Sequence, residues 1–251
     1  MKITLLQTDI VWNDTKENMR RVERLMNDSP ASDVFVLPEM WNTGFLVDPN
    51  VSCLEGDCGQ ALRFMQNQAN RFDAAVAGSV AMAEGEGKLR NRFYFVLPGG
   101  RVYYYDKHHL FTMGGEDKYY EAGCQVTEVK WRGVTFRLSV CYDLRFPTWL
   151  RNKAQSPYDV LMCVASWPQS RQQVWDVLLR ARAIENQCYV VGVNRVGTDP
   201  SLSYAGGSAV IDAKGCELVK LGRDAGTETI ELDLESLRTF RRNFSVLNDA
   251  D

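Results

Sequence analysis

The stretch VTFRLSVCYDLRFPTW, residues 134–149, begins as a β-rich apolar run and ends in charge and proline, with Cys141 at the change-over. The run reads as a strand and the segment behind it as the turn that closes it. A thiol at a strand end, with Asp143 and Arg145 just beyond it and no histidine beside it, asks what would activate it. The rest of the chain supplies both the fold and the answer.

Nine further β-rich runs flank this one: KITLLQ (2–7), DVFVLPE (33–39), AAVAGSVAM (74–82), RFYFVLP (92–98), VYYYDK (102–107), DVLMCVAS (159–166), CYVVGVNR (188–195), GSAVIDA (207–213) and TETIELDL (227–234). Helical spacing appears between them. TKENMRRVERLMND (15–28) places Met19, Val22, Leu25 and Met26 on one face, and GQALRFMQNQANRF (59–72) does so with Ala61, Leu62, Met65 and Ala69. RQQVWDVLLRARAIENQ (171–187) puts Val174, Val177, Leu178, Ala181 and Ile184 on an apolar stripe. Strands alternating with amphipathic helices imply sheets covered by helices, an α/β layered class. LPGGRV and IDAKGCEL read as hairpin turns, so the sheets are expected to be mixed. No repeat or linker divides the sequence, and residues 1–251 are expected to form a single domain.

Composition narrows the function. With 45% hydrophobic residues the 251-residue chain can bury a large core, and a net charge of −3 with scattered Lys and Arg gives no basic surface for nucleic acid. The N-terminal apolar stretch is broken by Gln7 and Asp9, and no run approaches a membrane span, so no membrane association and a cytoplasmic setting are expected. Seven cysteines, none in C-x-x-C spacing, read as reduced thiols with neither a disulfide framework nor a zinc site. Cys163 and Cys188 lie inside apolar runs, as small buried hydrophobes do.

Three runs end on residues that chemistry can use: Glu39, Lys107 and Cys141. In open α/β sheets the ligand crevice lies beyond strand C-termini, where distant parts of the chain meet. A cysteine attacks as thiolate and needs a base or a nearby positive charge. Glu39, behind Pro38, can take that proton and return it to a leaving amine; Lys107 can hold positive charge where an oxyanion develops, completed by backbone N–H groups from Tyr142 onward. The set suits acyl transfer from an amide-like substrate. A Cys-His mechanism has little support, because the two histidines, His108 and His109, are neighbours and face opposite ways on an extended chain. A phosphate-cradling loop also fails, since CYDLR leaves three bulky residues between thiol and guanidinium.

LPEMWNTGF around Glu39, YYDKHHLF around Lys107 and VCYDLRFP around Cys141 resemble, in order and spacing, the three signature segments of the nitrilase superfamily, the carbon–nitrogen hydrolases. The resemblance runs almost end to end. It implies a four-layer α-β-β-α sandwich, a homodimer or higher homo-oligomer paired through a helical face, and a thioester mechanism with no cofactor and no metal. Glu39 would be base and acid, Lys107 oxyanion stabiliser and Cys141 nucleophile. It also implies a second glutamate, for which Glu116 fits the distance from Lys107 better than Glu121.

Within that family, VCYDLRFPTW together with ASWPQSR looks most like segments of enzymes that hydrolyse omega-amides such as 2-oxoglutaramate. A nitrilase or an N-carbamoyl amine amidohydrolase is the alternative. A small-molecule 2-oxo acid amide carries a remote carboxylate, which Arg145 can meet while Phe146 and Trp167 wall the pocket. An ion pair with Asp143 is the other reading of Arg145. Trp41 is a further candidate for the wall, and Asn194 and Arg195 reach either the pocket rim or a partner subunit. Arg180, Arg182 and Glu185 read as ion pairs anchoring their helix.

Overall fold

The computed structural model describes residues 1–46, 51–84 and 88–249. Strands β1 (Lys2–Gln7), β2 (Val34–Val36) and β3 (Ala75–Glu84) run parallel, and β4 (Lys88–Val96) and β5 (Val102–Asp106) continue the sheet antiparallel. A second sheet repeats the plan. Its antiparallel edge β6 (Glu128–Trp131) joins β7 (Val134–Val140), which runs parallel to β8 (Val160–Ala165) and β9 (Tyr189–Asn194). After a small hairpin of β10 (Val196–Thr198) and β11 (Ser203–Ala205), β12 (Ala209–Ile211) and β13 (Glu217–Lys220) complete that sheet. Strand β14 (Gly226–Glu231) returns to pair antiparallel with β1, so each sheet has six strands.

Helices α1 (Thr15–Asp28) and α2 (Val51–Phe72) cover the outer face of the first sheet, with Val22, Met26, Ala61 and Met65 packed on Phe35, Leu37 and Val76. Asp14 caps α1 by accepting from the Glu17 amide at 2.9 Å. The short helix α3 (Pro147–Leu150) follows Cys141, and α4 (Gln172–Asn186) covers the second sheet. Helix α5 (Leu234–Asn243) follows β14, its Leu237 set into the inter-sheet core. Between the sheets, Phe93 and Phe95 meet Phe136, Leu138 and Val140, with the Phe95 and Phe136 rings 5.3 Å apart. Helix, sheet, sheet and helix are the four layers expected.

This layering explains why strand β8, VLMCVA, has no polar alternation. Val160, Met162 and Val164 face the opposite sheet, while Leu161, Cys163 and Ala165 face α4, so both sides are dry. The sequence reading found ten of the fourteen strands among the described residues. The four it missed, β6, β10, β11 and β13, have three or four residues each and carry exposed positions, so apolar runs do not mark them. Helix α2 begins eight residues before the expected start, at Val51.

The apolar stripe expected on α4 is only partly the buried one: Val174 and Leu178 pack at the edge of the core beneath the helix. Trp175, Leu179, Arg182, Ala183 and Asn186 face the sheet, whereas Val177 and Ile184 are 58% and 50% exposed. The inward side tolerates Arg182 because its guanidinium donates to the Leu144 carbonyl at 2.6 and 3.0 Å and pairs with Glu185 at 3.0 Å. Among the described residues no helix is long and apolar enough to cross a membrane.

Phe136 is the test of the sheet-to-sheet core. Phe136→Ala is expected to cost about 3–5 kcal/mol, read as a lowered midpoint in chemical denaturation.

Candidate active site

Three loops at one end of the paired sheets carry the candidate residues. Glu39 follows β2, Lys107 follows β5 and Cys141 follows β7, and the sandwich brings all three to one cleft with Ser166 and Trp167 from the end of β8. Lys107 is placed by its backbone, whose N–H donates to the Asn91 carbonyl at 3.0 Å in continuation of the β4–β5 ladder.

The side chains form a closed hydrogen-bonded ring. The Lys107 Nζ donates to Glu39 Oε1 at 2.9 Å and to Glu116 Oε2 at 2.8 Å. The Asn91 Nδ2 donates to Glu39 Oε1 at 2.7 Å and to Glu116 Oε1 at 3.0 Å. Backbone amides complete the set: Ser166 N–H donates to Glu39 Oε2 at 2.8 Å, and Phe111 N–H to Glu116 Oε2 at 2.7 Å. Glu39, Lys107 and Glu116 are essentially without solvent exposure. Glu121 lies elsewhere, paired with Arg90 at 2.8 Å, so Glu116 is the glutamate that meets Lys107.

Burial governs the protonation of these groups. It pulls the Lys107 ammonium down, but Glu116, Glu39 and Cys141 more than offset this and hold the pKa well above its ordinary value. Burial raises the Glu116 carboxyl, with Lys107 opposing. Burial and then Glu39 push the Cys141 thiol well up, against a smaller lowering by Lys107. Burial and the neighbouring Glu39 thus favour the neutral form of the Cys141 thiol, which is suited to giving up its proton as it attacks.

Cys141 sits in the left-handed region, φ +46°, which is uncommon for a residue with a Cβ. The strand turns abruptly there into the single helical turn Cys141–Arg145, whose leading N–H groups have no partner within the turn. Asp143 holds this bend. Its Oδ2 accepts from Tyr105 Oη at 2.8 Å and Val140 N–H at 3.0 Å; its Oδ1 lies 2.9 Å from both the His109 N–H and Nδ1. One buried carboxylate thus ties the cysteine turn to the loop that carries Lys107.

The cleft encloses about 430 Å³, open solvent included, and Tyr142, Arg145 and Trp167 line it. Phe146 does not. It stacks on His109 at 3.7 Å, behind Tyr142, because the turn carries its side chain away from the cleft. Arg145 is not paired with Asp143, whose oxygens are already taken; its guanidinium lies 5.2 Å from the Trp167 ring and 5.9 Å from that of Tyr142. Trp41 is buried under α2 rather than in the wall. Asn194 is also buried, bonding Trp167 through both its N–H and carbonyl, and Arg195 is enclosed by the Ile10, Val196 and Thr198 carbonyls. Neither histidine lines the cleft: His108 Nδ1 meets the Gly123 carbonyl at 2.6 Å, and His109 meets Asp143.

Sequence reasoning missed Arg171, whose guanidinium lies 5.2 Å from the Phe111 ring in the cleft wall, and Tyr204 and Leu202 of the β10–β11 hairpin. The segment ASWPQSR contained Arg171, but nothing in its spacing marked the side chain as facing Cys141. Among the described residues neither Arg145 nor Arg171 has a carboxylate within ion-pair distance, and no group of three or more His, Cys, Asp or Glu is disposed to hold a metal ion.

Comparison with known proteins finds similarity along the whole chain. The carbon-nitrogen hydrolase family model matches residues 2–242. The chain is 43% identical to the omega-amidase YafV of Escherichia coli (strain K12), covering 100% of this chain and 97% of that one. It is 34% identical to the 2-oxoglutaramate amidase of Bacillus subtilis (strain 168), over 98% of this chain and 96% of that protein. A solved CN-hydrolase superfamily protein from Xanthomonas campestris, with an arsenic adduct in its active site, superposes with a TM-score of 0.95 at 37% identity, covering 100% and 97% of the two chains.

Asp143 provides the test of the site's scaffold. Asp143→Ala leaves three or four buried donors without an acceptor, at about 1–3 kcal/mol each, so thermal melting is expected several degrees lower and turnover reduced. Asp143→Asn, which keeps one acceptor, is expected to fall between this variant and the unaltered protein.

Proposed function

The chain belongs to the carbon-nitrogen hydrolase family and hydrolyses carbon–nitrogen bonds other than peptide bonds, and from that premise we propose that it is an omega-amidase of short dicarboxylate monoamides such as 2-oxoglutaramate. In this reading residues 1–251 act as one hydrolase domain. The reaction begins as Cys141 Sγ attacks the amide carbonyl and its proton passes to Glu39. The oxyanion develops against the Lys107 ammonium and the N–H groups at Tyr142, in a dry setting where such interactions count most. Glu39 returns the proton to the nitrogen, ammonia leaves, and a thioester remains on Cys141. A water that has given its proton to Glu39 then attacks the thioester, releasing the acid and restoring the thiol. Glu116 keeps Lys107 in place throughout.

The observation that carries the substrate reading is the pair of guanidinium groups in the cleft wall, Arg145 and Arg171, each lying near an aromatic ring and neither matched by a carboxylate among the described residues. A neutral nitrile or N-carbamoyl amine would leave both without a counter-charge. An omega-amide brings a carboxylate at its far end, and a planar guanidinium can take it with two parallel hydrogen bonds. The relatives named for omega-amidase and 2-oxoglutaramate amidase activity support the same choice. A reducing, cytoplasmic setting goes with this reading, since the described cysteines are unpaired.

Ammonia release from 2-oxoglutaramate by the purified protein tests the proposal directly. Cys141→Ala is expected to be silent while keeping its circular dichroism, and Arg145→Gln to raise KM about ten- to a hundredfold with less change in kcat. Turnover of a simple nitrile but not of the amide would reject the substrate class. Undiminished turnover by Cys141→Ala would reject the mechanism.

We also infer a homodimer. The outward stripe of α4, Val177 and Ile184 with Ala181 between them, borders a shallow depression rimmed by Asp176, Arg180 and Lys220, and covering it would remove exposed apolar surface. Ile184→Glu is expected to shift the protein to a monomer in light scattering; an unchanged mass would place the contact elsewhere.

A further inference from the structure

Asn91 takes no part in the steps above and does not line the cleft, yet it touches both glutamates. It is 1% exposed, sits in β4, and lies opposite Lys107 in the continuation of the β4–β5 ladder. Its two amide hydrogens go to two carboxylates, while its own Oδ1 is buried without a partner. An unsatisfied buried acceptor is costly, so the amide orientation is not chosen for the asparagine's own sake. The reverse orientation would set Oδ1 against two carboxylate oxygens. The carboxylates fix the amide, and in return they receive two neutral donors.

We propose that Asn91 is a positioning residue of the hydrolase: its carboxamide bridges Glu39 and Glu116, keeps both ionised around Lys107, and leaves Glu39 Oε2 as the oxygen that takes the Cys141 proton. The lone-pair count supports this. Glu39 Oε1 is occupied by Lys107 Nζ and Asn91 Nδ2, whereas Oε2 accepts only the Ser166 N–H, leaving one lone pair free. Two carboxylates facing one ammonium in a dry site tend to share a proton. A second cation would prevent this but would also make Glu39 a weak base. A neutral two-hydrogen donor favours the ionised forms and adds no charge. The titratable groups around Glu39 are Lys107, Glu116 and Cys141, with Tyr204 farther off.

This inference rests on Glu39 being the general base, and the experiment separates the two. The pH dependence of kcat/KM is measured for the unaltered protein, Asn91→Ala, Asn91→Ser and Glu39→Gln, beside the pH dependence of Cys141 alkylation by iodoacetamide. Losing the donors raises the carboxylate pKa, so in Asn91→Ala the acid limb is expected to move up by about one pH unit. On the acid side of the limb kcat/KM should fall up to about tenfold and recover at higher pH, with KM within about twofold, since Asn91 does not reach the substrate. Asn91→Ser, which keeps one donor and serves if the alanine variant does not fold, is expected to move about half as far. The alkylation profile should shift in the same direction without any substrate present. Loss of activity by the same factor at every pH, with the acid limb and alkylation profile in place, would overturn the proposal and leave Asn91 a packing residue. Turnover by Glu39→Gln at the unaltered rate would instead overturn the base assignment, and the inference with it.

Discussion

Everything at the candidate site depends on keeping one ammonium charged where there is no water. An isolated lysine in such a place would lose its proton, because burial penalises the charged form by several kcal/mol, roughly. Lys107 keeps it because two carboxylates lie within 2.9 Å and each is held by donors from another part of the chain. Removing any member leaves a buried charge or a buried donor unmatched. The site is accordingly a closed set whose geometry the surrounding strands must deliver to a few tenths of an ångström.

The sandwich delivers it through its strand ends. Glu39 and Lys107 emerge from one sheet and Cys141 from the other, so their approach is set by how the inner faces pack. Phe95 against Phe136 lies in that packing, a few residues before Lys107 and Cys141 respectively in the strands concerned or their neighbours. Asp143 and Tyr105 then lock the two loops across the gap. Core and chemistry are coupled because each loop is short.

How much of this is legible in the sequence follows from the same physics. Glu39, Lys107 and Cys141 each end an apolar run, and a polar residue at such a point stands out. Asn91 and Arg171 do not: Asn91 lies in a strand of mixed polarity, and Arg171 precedes a helix among other polar residues. Only the pairing of β4 with β5 brings Asn91 beside Lys107. The α4 stripe misled for a related reason. Apolar periodicity shows which face avoids water, and Val177 and Ile184 satisfy it as well as Trp175 and Leu179 do, so periodicity alone cannot say which face meets the sheet. Phe146 is a matter of turn geometry, since one residue more or less around the Cys141 bend decides between the cleft and the stack on His109.

The neutral state of the Cys141 thiol has a consequence for selectivity over time. Oxidants and stray electrophiles attack thiolates far faster than thiols, so a cysteine that holds its proton at rest is chemically quiet. Its reactivity appears only when a carbonyl arrives whose oxygen can accept the lysine's charge as the sulfur's proton departs. A thiol kept protonated in this way waits for its substrate without offering an activated sulfur to other electrophiles.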